Sequence, residues 1–306
     1  MNCRIDFGVE RQRETIEWLA QQVLEKVTRG EALDPCALFL LLRCYCATGR
    51  ADFGDALGIA LARALDDSAS RTRSNDTPQW LMLFAEACAV SDDERLVTAA
   101  LDLVRMLRDG WGGDNVEALM WSVDACLAAG DVCEPRELVP AAIDELERLA
   151  GAAYRPGGGI ARLVAEPDGQ RGRLADQVRA ASALLAGYSR TARLPYAMLA
   201  EELMQFARRT LWDDRAGGFF DLGTGSPDGV KSLAFNCEAA RVLCRLAALH
   251  DDADYRGAAV LAPDAEYARD ADRTLAALEP RCREGGIDAA IFGVALGERL
   301  ALRSAE

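Results

Sequence analysis

The residues of this chain that could do chemistry are its carboxylic acids, and several of them stand where apolar segments begin. Six acidic or amide residues hold such positions: Asp34, Asp76, Asp114, Asp176, Asn236 and Asp288. Aspartate and asparagine are common helix caps because their side chains accept a backbone N–H, so each of the six has a structural explanation. If the segments are parallel helices, however, all six starts lie on one rim of the molecule. Such a rim suits acid–base chemistry, since cleavage of a glycosidic bond needs one protonated and one ionised carboxyl group.

Three carboxylates are the predicted catalytic residues, and Asp176 is the foremost of them. Asp176 begins an apolar segment and follows a long connection that ends at Arg173. Its partner is predicted to be Glu238, one helical hairpin further along the chain, or Asp114, one hairpin before. One member of the pair would have a pKa raised by burial and by acidic neighbours, while the other stays ionised. Glu117 is a further acid at this rim.

Aromatic and polar residues near the same rim form the predicted substrate-binding set. Aromatic rings can stack on the apolar face of a sugar, and arginines can hydrogen-bond hydroxyls or bind a carboxylate. The set comprises Trp80, Trp111, Tyr154, Trp212, Phe220, Arg155, Arg162, Asp76, Asp221 and Asn236. The expected ligand is a small molecule, with a sugar as the first choice, and neither a cofactor nor a metal is predicted.

A non-catalytic alternative explains the same residues. The acids would cap helices or pair with arginines, the aromatics would fill the core, and the molecule would be a scaffold that binds a small molecule or a protein. A polar pocket with two carboxylates about 5 to 10 Å apart favours the enzyme. A mouth closed by the 154–173 or 212–235 connection favours the scaffold.

Several other chemistries are disfavoured by what the chain contains. His250 is the one histidine, so the two-histidine arrangement of sugar 2-epimerases is excluded. The sequence has no nucleophile elbow, P-loop or dinucleotide-binding glycine pattern. The acidic run at 251–254 lies in a turn of a type that repeats along the chain, so we do not expect it to bind metal.

Two kinds of segment alternate along the chain and would position these residues. Amphipathic segments, with apolar residues at helical spacing, are predicted at about 13–29, 53–66, 94–108, 138–150, 197–211 and 264–278. Segments that are apolar on nearly every side are predicted at about 35–48, 78–90, 115–129, 174–188, 232–249 and 287–302. A helix that is apolar all round is buried all round. The sequence therefore predicts one all-α domain over residues 1–306, an (α/α)6 barrel whose inner ring is the apolar set. The helices are short, which leaves room for a distorted ring.

The longest connections enter the rim where the apolar segments begin. They run over 110–114, 154–173 and 212–235, whereas the opposite rim has only tight turns. The β-like stretches Ile160–Val164 and Phe219–Leu222 stand beside glycine turns, so each connection is expected to form a short β-hairpin. Long loops in a compact fold are often functional.

The net charge and the cysteine content limit which partners and which cellular compartment we expect. The formal net charge is −14, and an acidic surface repels phosphate backbones and anionic lipid headgroups. Nucleic acid and membrane are therefore not expected as partners. Residues 1–14 carry charges throughout, which predicts no secretory signal and a cytoplasmic protein. The ten cysteines form no C-x-x-C pair and are expected to be free thiols.

The stretch from about 154 to 256 resembles the C-terminal region of the thioredoxin-domain-containing proteins of the spermatogenesis-associated type. The residues that carry the resemblance are Leu174-Ala-Asp176, the run Leu211–Asp221, Asn236 at the start of a helix, and Asp254-Tyr255. The resemblance implies a six-hairpin (α/α)6 toroid, similar to glycosidases and sugar epimerases, and it implies no known reaction. The family's thioredoxin-like domain is absent here. Where the family tends to have Pro-Ser-Gly-Asn, this chain has Leu233-Ala-Phe-Asn236.

Overall fold

The structure is a computed structural model that describes residues 8–67, 76–133, 135–223, 229–258 and 260–305. The described residues form thirteen α-helices: α1 Val9–Thr28, α2 Pro35–Thr48, α3 Ala51–Asp66, α4 Thr77–Ala87, α5 Glu94–Asp109, α6 Val116–Ala128, α7 Pro135–Ala153, α8 Leu174–Thr191, α9 Leu194–Thr210, α10 Leu233–Asp251, the short α11 Ala253–Ala258, α12 Tyr267–Gly285 and α13 Ala290–Ala305. Two short 3-10 helices, Ala129–Asp131 and Gly286–Ala289, precede α7 and α13.

Six helices form a closed inner ring. In ring order they are α2, α4, α6, α8, α10 and α13; each contacts the next, and α13 contacts α2. The helices α1, α3, α5, α7, α9 and α12 pack around this ring. The predicted (α/α)6 barrel is thus confirmed, with the apolar segments inside. Because inner and outer helices alternate along the chain, all inner helices begin at one rim, which we call the loop rim.

Local sequence explains why individual helices start and stop where they do. At α2 the Asp34 side chain accepts a hydrogen bond from the Ala37 backbone N–H at 2.8 Å, and Pro35 occupies the first helical position. The helix ends at Gly49, whose φ of 64° is the left-handed conformation that glycine adopts without strain. The outer helix α5 has one buried stripe formed by Leu96, Ala100, Leu103 and Val104, as expected of a half-exposed helix.

The loop rim carries the small amount of β structure. Strands β1 Tyr154–Arg155 and β2 Gly159–Ile160 pair antiparallel. The Gln177 side chain on α8 accepts from the Ile160 N–H and donates to the Ile160 carbonyl, which docks the hairpin on the inner ring. At Gly159 a Cβ atom would come within 2.6 Å of both Gln177 and Phe206, so this docking requires a glycine. The described part of the second connection has isolated β-bridges in place of the expected hairpin strands, one between Trp212 and Phe219 and one between Leu222 and Arg173.

Two further findings concern the chain as a whole. No helix of the described residues is both long and apolar enough to cross a bilayer. Nine of the ten cysteines are free thiols, most of them buried in helices, while Cys3 lies outside the described residues.

Candidate active site at the loop rim

Asp176 is a buried carboxyl group in the first turn of α8. Asp176 is 0% exposed, and no described residue donates a hydrogen bond to either of its carboxyl oxygens. Burial raises its pKa to about 6; Arg173 and Arg162 act to lower the pKa, and Glu117 acts to raise it. Buried polar atoms are nearly always hydrogen-bonded, so a carboxyl left without partners is a marked exception. A pKa that is shifted by burial and by specific charged neighbours is common among functional acids.

A pocket of about 370 Å³ lies at the start of α8, where Ala175, the neighbour of Asp176 in the chain, is part of its lining while Asp176 itself is not. It is lined by Arg162, Gln170, Arg173, Ala175, Asp221, Leu222 and Phe235. Arg162 and Arg173 are the same two arginines that act on Asp176. The Arg173 guanidinium also lies 3.9 Å from the Glu117 carboxylate. The rim thus brings two carboxyl groups and two guanidinium groups together beside one pocket.

Asp114 positions one of the loops that forms this pocket. Its carboxylate accepts a hydrogen bond from the Ala165 N–H at 2.6 Å, and its carbonyl accepts from the Val164 N–H at 2.9 Å. The Val116 N–H in turn donates to the Arg162 carbonyl at 3.0 Å. The cap of α6 is not Asp114 but Asn115, which accepts from the Ala118 N–H. The carboxylate of Asp114 therefore anchors the loop that carries Arg162.

Asn236 anchors the second loop of the rim, which follows α9. It is fully buried inside the first turn of α10, where Ser232 is the cap. Its amide accepts from the Phe219 N–H at 2.7 Å and donates to the Phe219 carbonyl at 3.0 Å. Asp221, further along this loop, accepts from the Ser232 N–H at 2.7 Å and lines the pocket. Asn236 thus holds the loop from which Asp221 reaches the pocket.

Glu238 lies elsewhere, in a second cavity inside the barrel, whose volume is about 940 Å³. Burial would raise the pKa of Glu238, but Arg179, Arg241 and Arg245 outweigh burial and leave the pKa lowered. Arg179 lies 3.5 Å from Glu238 and stacks 3.8 Å above the Trp121 ring. Glu238 is therefore not one of the residues that line the rim pocket beside Asp176.

None of the five predicted sugar-stacking aromatics is among the residues that line the rim pocket, and each contacts another side chain of the protein. Trp80 is buried against Phe84, and Trp212 contacts Phe219 edge to face. The Trp111 indole donates to Ser122, and the Tyr154 hydroxyl donates to Glu202. The Phe220 ring lies 4.9 Å from the Lys231 ammonium group.

The remaining members of the predicted substrate-binding set are polar, and some of them line the rim pocket while others do not. Arg155 pairs with Asp168, and Asp76 directly precedes α4. Of the predicted substrate-binding residues, Arg162 and Asp221 line the rim pocket.

Sequence reasoning missed the polar residues in the middle of the barrel. Asp124, Ser182, Arg241 and Arg245 all line the larger cavity. Asp124 stands in the mostly apolar helix α6, on a face that a barrel must bury. That isolated carboxylate was the signal that could have found it, whereas α8, which carries Ser182, has several other polar residues and offers no such signal.

Solved proteins that share this fold act on carbohydrates. An unsaturated glucuronyl hydrolase from Streptococcus agalactiae, complexed with dGlcA-GalNAc6S, matches with a TM-score of 0.70 at 11% identity, over 98% of this chain and 93% of that one. The GH76A alpha-1,6-mannanase from Salegentibacter sp. HEL1_6 matches with a TM-score of 0.65 at 13% identity, over 95% and 99%. A D-mannose isomerase matches with a TM-score of 0.60 at 14% identity, over 84% and 85%.

These likenesses place the chain in the six-hairpin glycosidase-like fold class. No protein-family model matches the sequence, and no curated protein matches it. Because identities this low establish the fold alone, the activity has to be argued from the site.

Proposed function

We propose that the protein is a carbohydrate-active hydrolase that uses Asp176 as its general acid. The observation that carries this proposal is the state of Asp176: it is buried, without a hydrogen-bond partner among the described residues, and next to a pocket at the loop rim. A carboxyl group with a pKa of about 6 keeps its proton at mildly acidic pH. It can therefore protonate the oxygen of a glycosidic bond as that bond breaks.

Glu117 is the proposed second carboxyl group. Glycoside cleavage needs an ionised carboxylate as base or nucleophile opposite the acid. Glu117 is the acid that acts on Asp176, and it lies beside the Arg173 guanidinium. Glu117 therefore takes the place of Glu238 and Asp114, the partners predicted from sequence, as the proposed second carboxylate.

The arginines of the pocket suit a substrate rich in oxygen. Arg162 and Arg173 both line the pocket, and guanidinium groups bind hydroxyls or a carboxylate with good geometry. Since the Asp176 carboxyl is buried, its proposed role requires that the side chains covering it move when substrate enters. The lining therefore accommodates a neutral sugar or an acidic one.

The test is hydrolysis of a panel of aryl glycosides and oligosaccharides by wild type, Asp176→Asn and Glu117→Gln. We expect each substitution to lower kcat by about 10²- to 10⁴-fold, which is the usual worth of a positioned acid or base. In wild type, kcat/KM should fall as the pH rises above about 6, because Asp176 then loses its proton. Asp288→Asn is the matched control, since Asp288 is an exposed aspartate at the start of another inner helix.

Different outcomes separate the alternatives. Loss of activity in Asp124→Asn but not in Asp176→Asn would move the chemistry to the barrel cavity. A wild-type protein that cleaves nothing in the panel would favour the non-catalytic scaffold. The cytoplasmic location, the single domain over residues 1–306 and the relation to spermatogenesis-associated proteins stay predictions.

A further inference from the structure

The larger cavity lies inside the barrel, away from the rim pocket. Every inner helix contributes to its wall, and none of the residues that line it also lines the rim pocket. Residues such as Ala128, Arg190, Ala248 and Leu302 come from the last turns of their helices. The cavity therefore extends from the middle of the barrel to the rim where the inner helices end.

Most charges in this cavity are paired with one another. The pairs are Arg43 with Glu86 at 2.6 Å, Arg241 with Glu298 at 2.8 Å, and Arg190 with Asp131 at 2.5 Å. Glu238 lies 3.4 Å from Arg241. Among the described residues that line the cavity, four are arginines and five are acids, so the wall is nearly neutral.

Asp124 and Arg245 are the two charged groups of this wall that stand outside these pairs, and they are linked to each other through Ser182. Both contact the Ser182 hydroxyl, which donates to Asp124 Oδ2 at 2.6 Å and accepts from Arg245 Nη1 at 3.2 Å. Within the described parts of the chain, no carboxylate lies within 4.0 Å of the Arg245 guanidinium, and no group donates to Asp124 Oδ1. Asp124 is only 5% exposed.

Asp124 and Arg245 both line the cavity, so a ligand in the cavity can use the hydrogen-bonding capacity that Ser182 leaves free. Removing a carboxylate and a guanidinium from water is offset only when their remaining hydrogen-bonding capacity is used. Here an acceptor and a donor stand side by side on one serine and face an open cavity. That arrangement calls for a ligand group that can donate and accept at the same time.

We propose that this cavity is a second binding site, for a neutral polyhydroxylated ligand of the size of a mono- or disaccharide. A hydroxyl is both donor and acceptor, so adjacent hydroxyls can donate to Asp124 and accept from Arg245. A strongly anionic or cationic ligand would lack a counter-charge in a nearly neutral wall, and the ends of six helices further disfavour an anion. Phe39 and Met82, both partly exposed, supply apolar surface for the C–H face of a sugar ring. A volume of about 940 Å³ lies within the range of small-molecule pockets.

The experiment is calorimetric titration of the full chain with D-glucose, D-mannose and maltose, beside the charged probes D-glucuronate and spermidine. Ala248→Trp is the main variant, because Ala248 lines the cavity yet is exposed, so a bulky side chain there obstructs the entrance without disturbing the core. Ser182→Ala removes the shared hydroxyl. We expect a neutral sugar to bind wild type and to bind both variants about tenfold more weakly or worse, while the control Asp288→Asn, at an exposed position that lines neither cavity, binds it as wild type does.

The outcomes also separate this site from the proposed catalytic rim. Sugar binding that survives Ala248→Trp but is lost in Asp176→Asn overturns the second site and leaves the rim as the binding place. Tighter binding of glucuronate or spermidine than of every neutral sugar overturns the ligand class. Absence of neutral-sugar binding up to about 100 mM, beyond the weak end of useful affinity, overturns the proposal itself. If Ser182→Ala fails to fold, the surface variant Ala248→Trp still decides between these results.

Discussion

At the scale of single residues, Asp176 links stability to pH as well as to the proposed chemistry. Its pKa of about 6 in the folded protein lies above the value of about 3.9 for an unfolded aspartate. The folded state therefore holds this proton more tightly than the unfolded chain does. The stability that protonation contributes is fully present below about pH 4 and is lost as the pH rises through about 6.

Asp176→Asn should remove this pH dependence, because asparagine does not titrate. Between pH 4 and pH 7 we expect the free energy of unfolding of wild type to fall by about 2 kcal/mol relative to the variant, since each pKa unit is worth about 1.4 kcal/mol and part of the effect is already lost at pH 4. Urea unfolding followed by circular dichroism at several pH values measures this difference. Asp288→Asn, at an exposed position, should run parallel to wild type, and parallel curves for Asp176→Asn would contradict the burial of that carboxyl.

At the scale of helices, two C-termini form a matched pair. The residue that follows α2 is Gly49, with a φ of 64°, and the residue that follows α8 is Ala192, with a φ of 54°. Both donate a backbone hydrogen bond to a helix carbonyl, from Gly49 to Tyr45 and from Ala192 to Tyr188. The left-handed conformation costs an alanine about 1 kcal/mol or more and a glycine almost nothing.

Placing a glycine at position 192 and an alanine at position 49 should therefore have opposite effects on the stability of the protein. Ala192→Gly should stabilise the protein by about 0.5 kcal/mol, because relief of strain exceeds the greater freedom of glycine in the unfolded chain. Gly49→Ala should destabilise it by about 1 kcal/mol. Ala192 is exposed, and a Cβ atom at Gly49 would meet nothing within 4 Å, so the changes in melting temperature report the backbone alone. Two changes of the same sign would show that α8 does not end as the structure has it.

At the scale of the whole molecule, ring closure depends on a close approach between α13 and the first two helices. A Cβ atom at Gly293 would lie 2.9 Å from a methyl group of Leu40 and 3.1 Å from one of Leu19. Gly293→Val should therefore overpack the contact that closes the ring and destabilise the protein by about 1–3 kcal/mol.

Gly297, one turn further along α13, is the control for that substitution. A Cβ atom there would meet nothing within 4 Å, so Gly297→Ala should stabilise the helix by up to about 1 kcal/mol. Thermal unfolding of the two variants measures the difference. A Gly293→Val protein as stable as wild type would argue against a closed ring and for an open solenoid.

The sequence by itself determined the ring and the places where its helices begin. Hydrophobic periodicity is a local property, and it distinguishes a helix buried on all sides, such as α2, from one with a single buried stripe, such as α5. Because inner and outer helices alternate along the chain, the same pattern placed the start of every inner helix on one rim. The predicted bounds of α2, 35–48, agree with the structure to the residue.

Only the tertiary structure decided which acids meet. Asp176 and Glu238 both stand in the first half of an inner helix, yet burial isolates one and three arginines from other parts of the fold surround the other. Asp114 has the same residue type as Asp176, but its carboxylate is occupied by the backbone of a loop 51 residues away. Protonation and hydrogen bonding depend on neighbours that are distant in sequence, and helical spacing does not encode them.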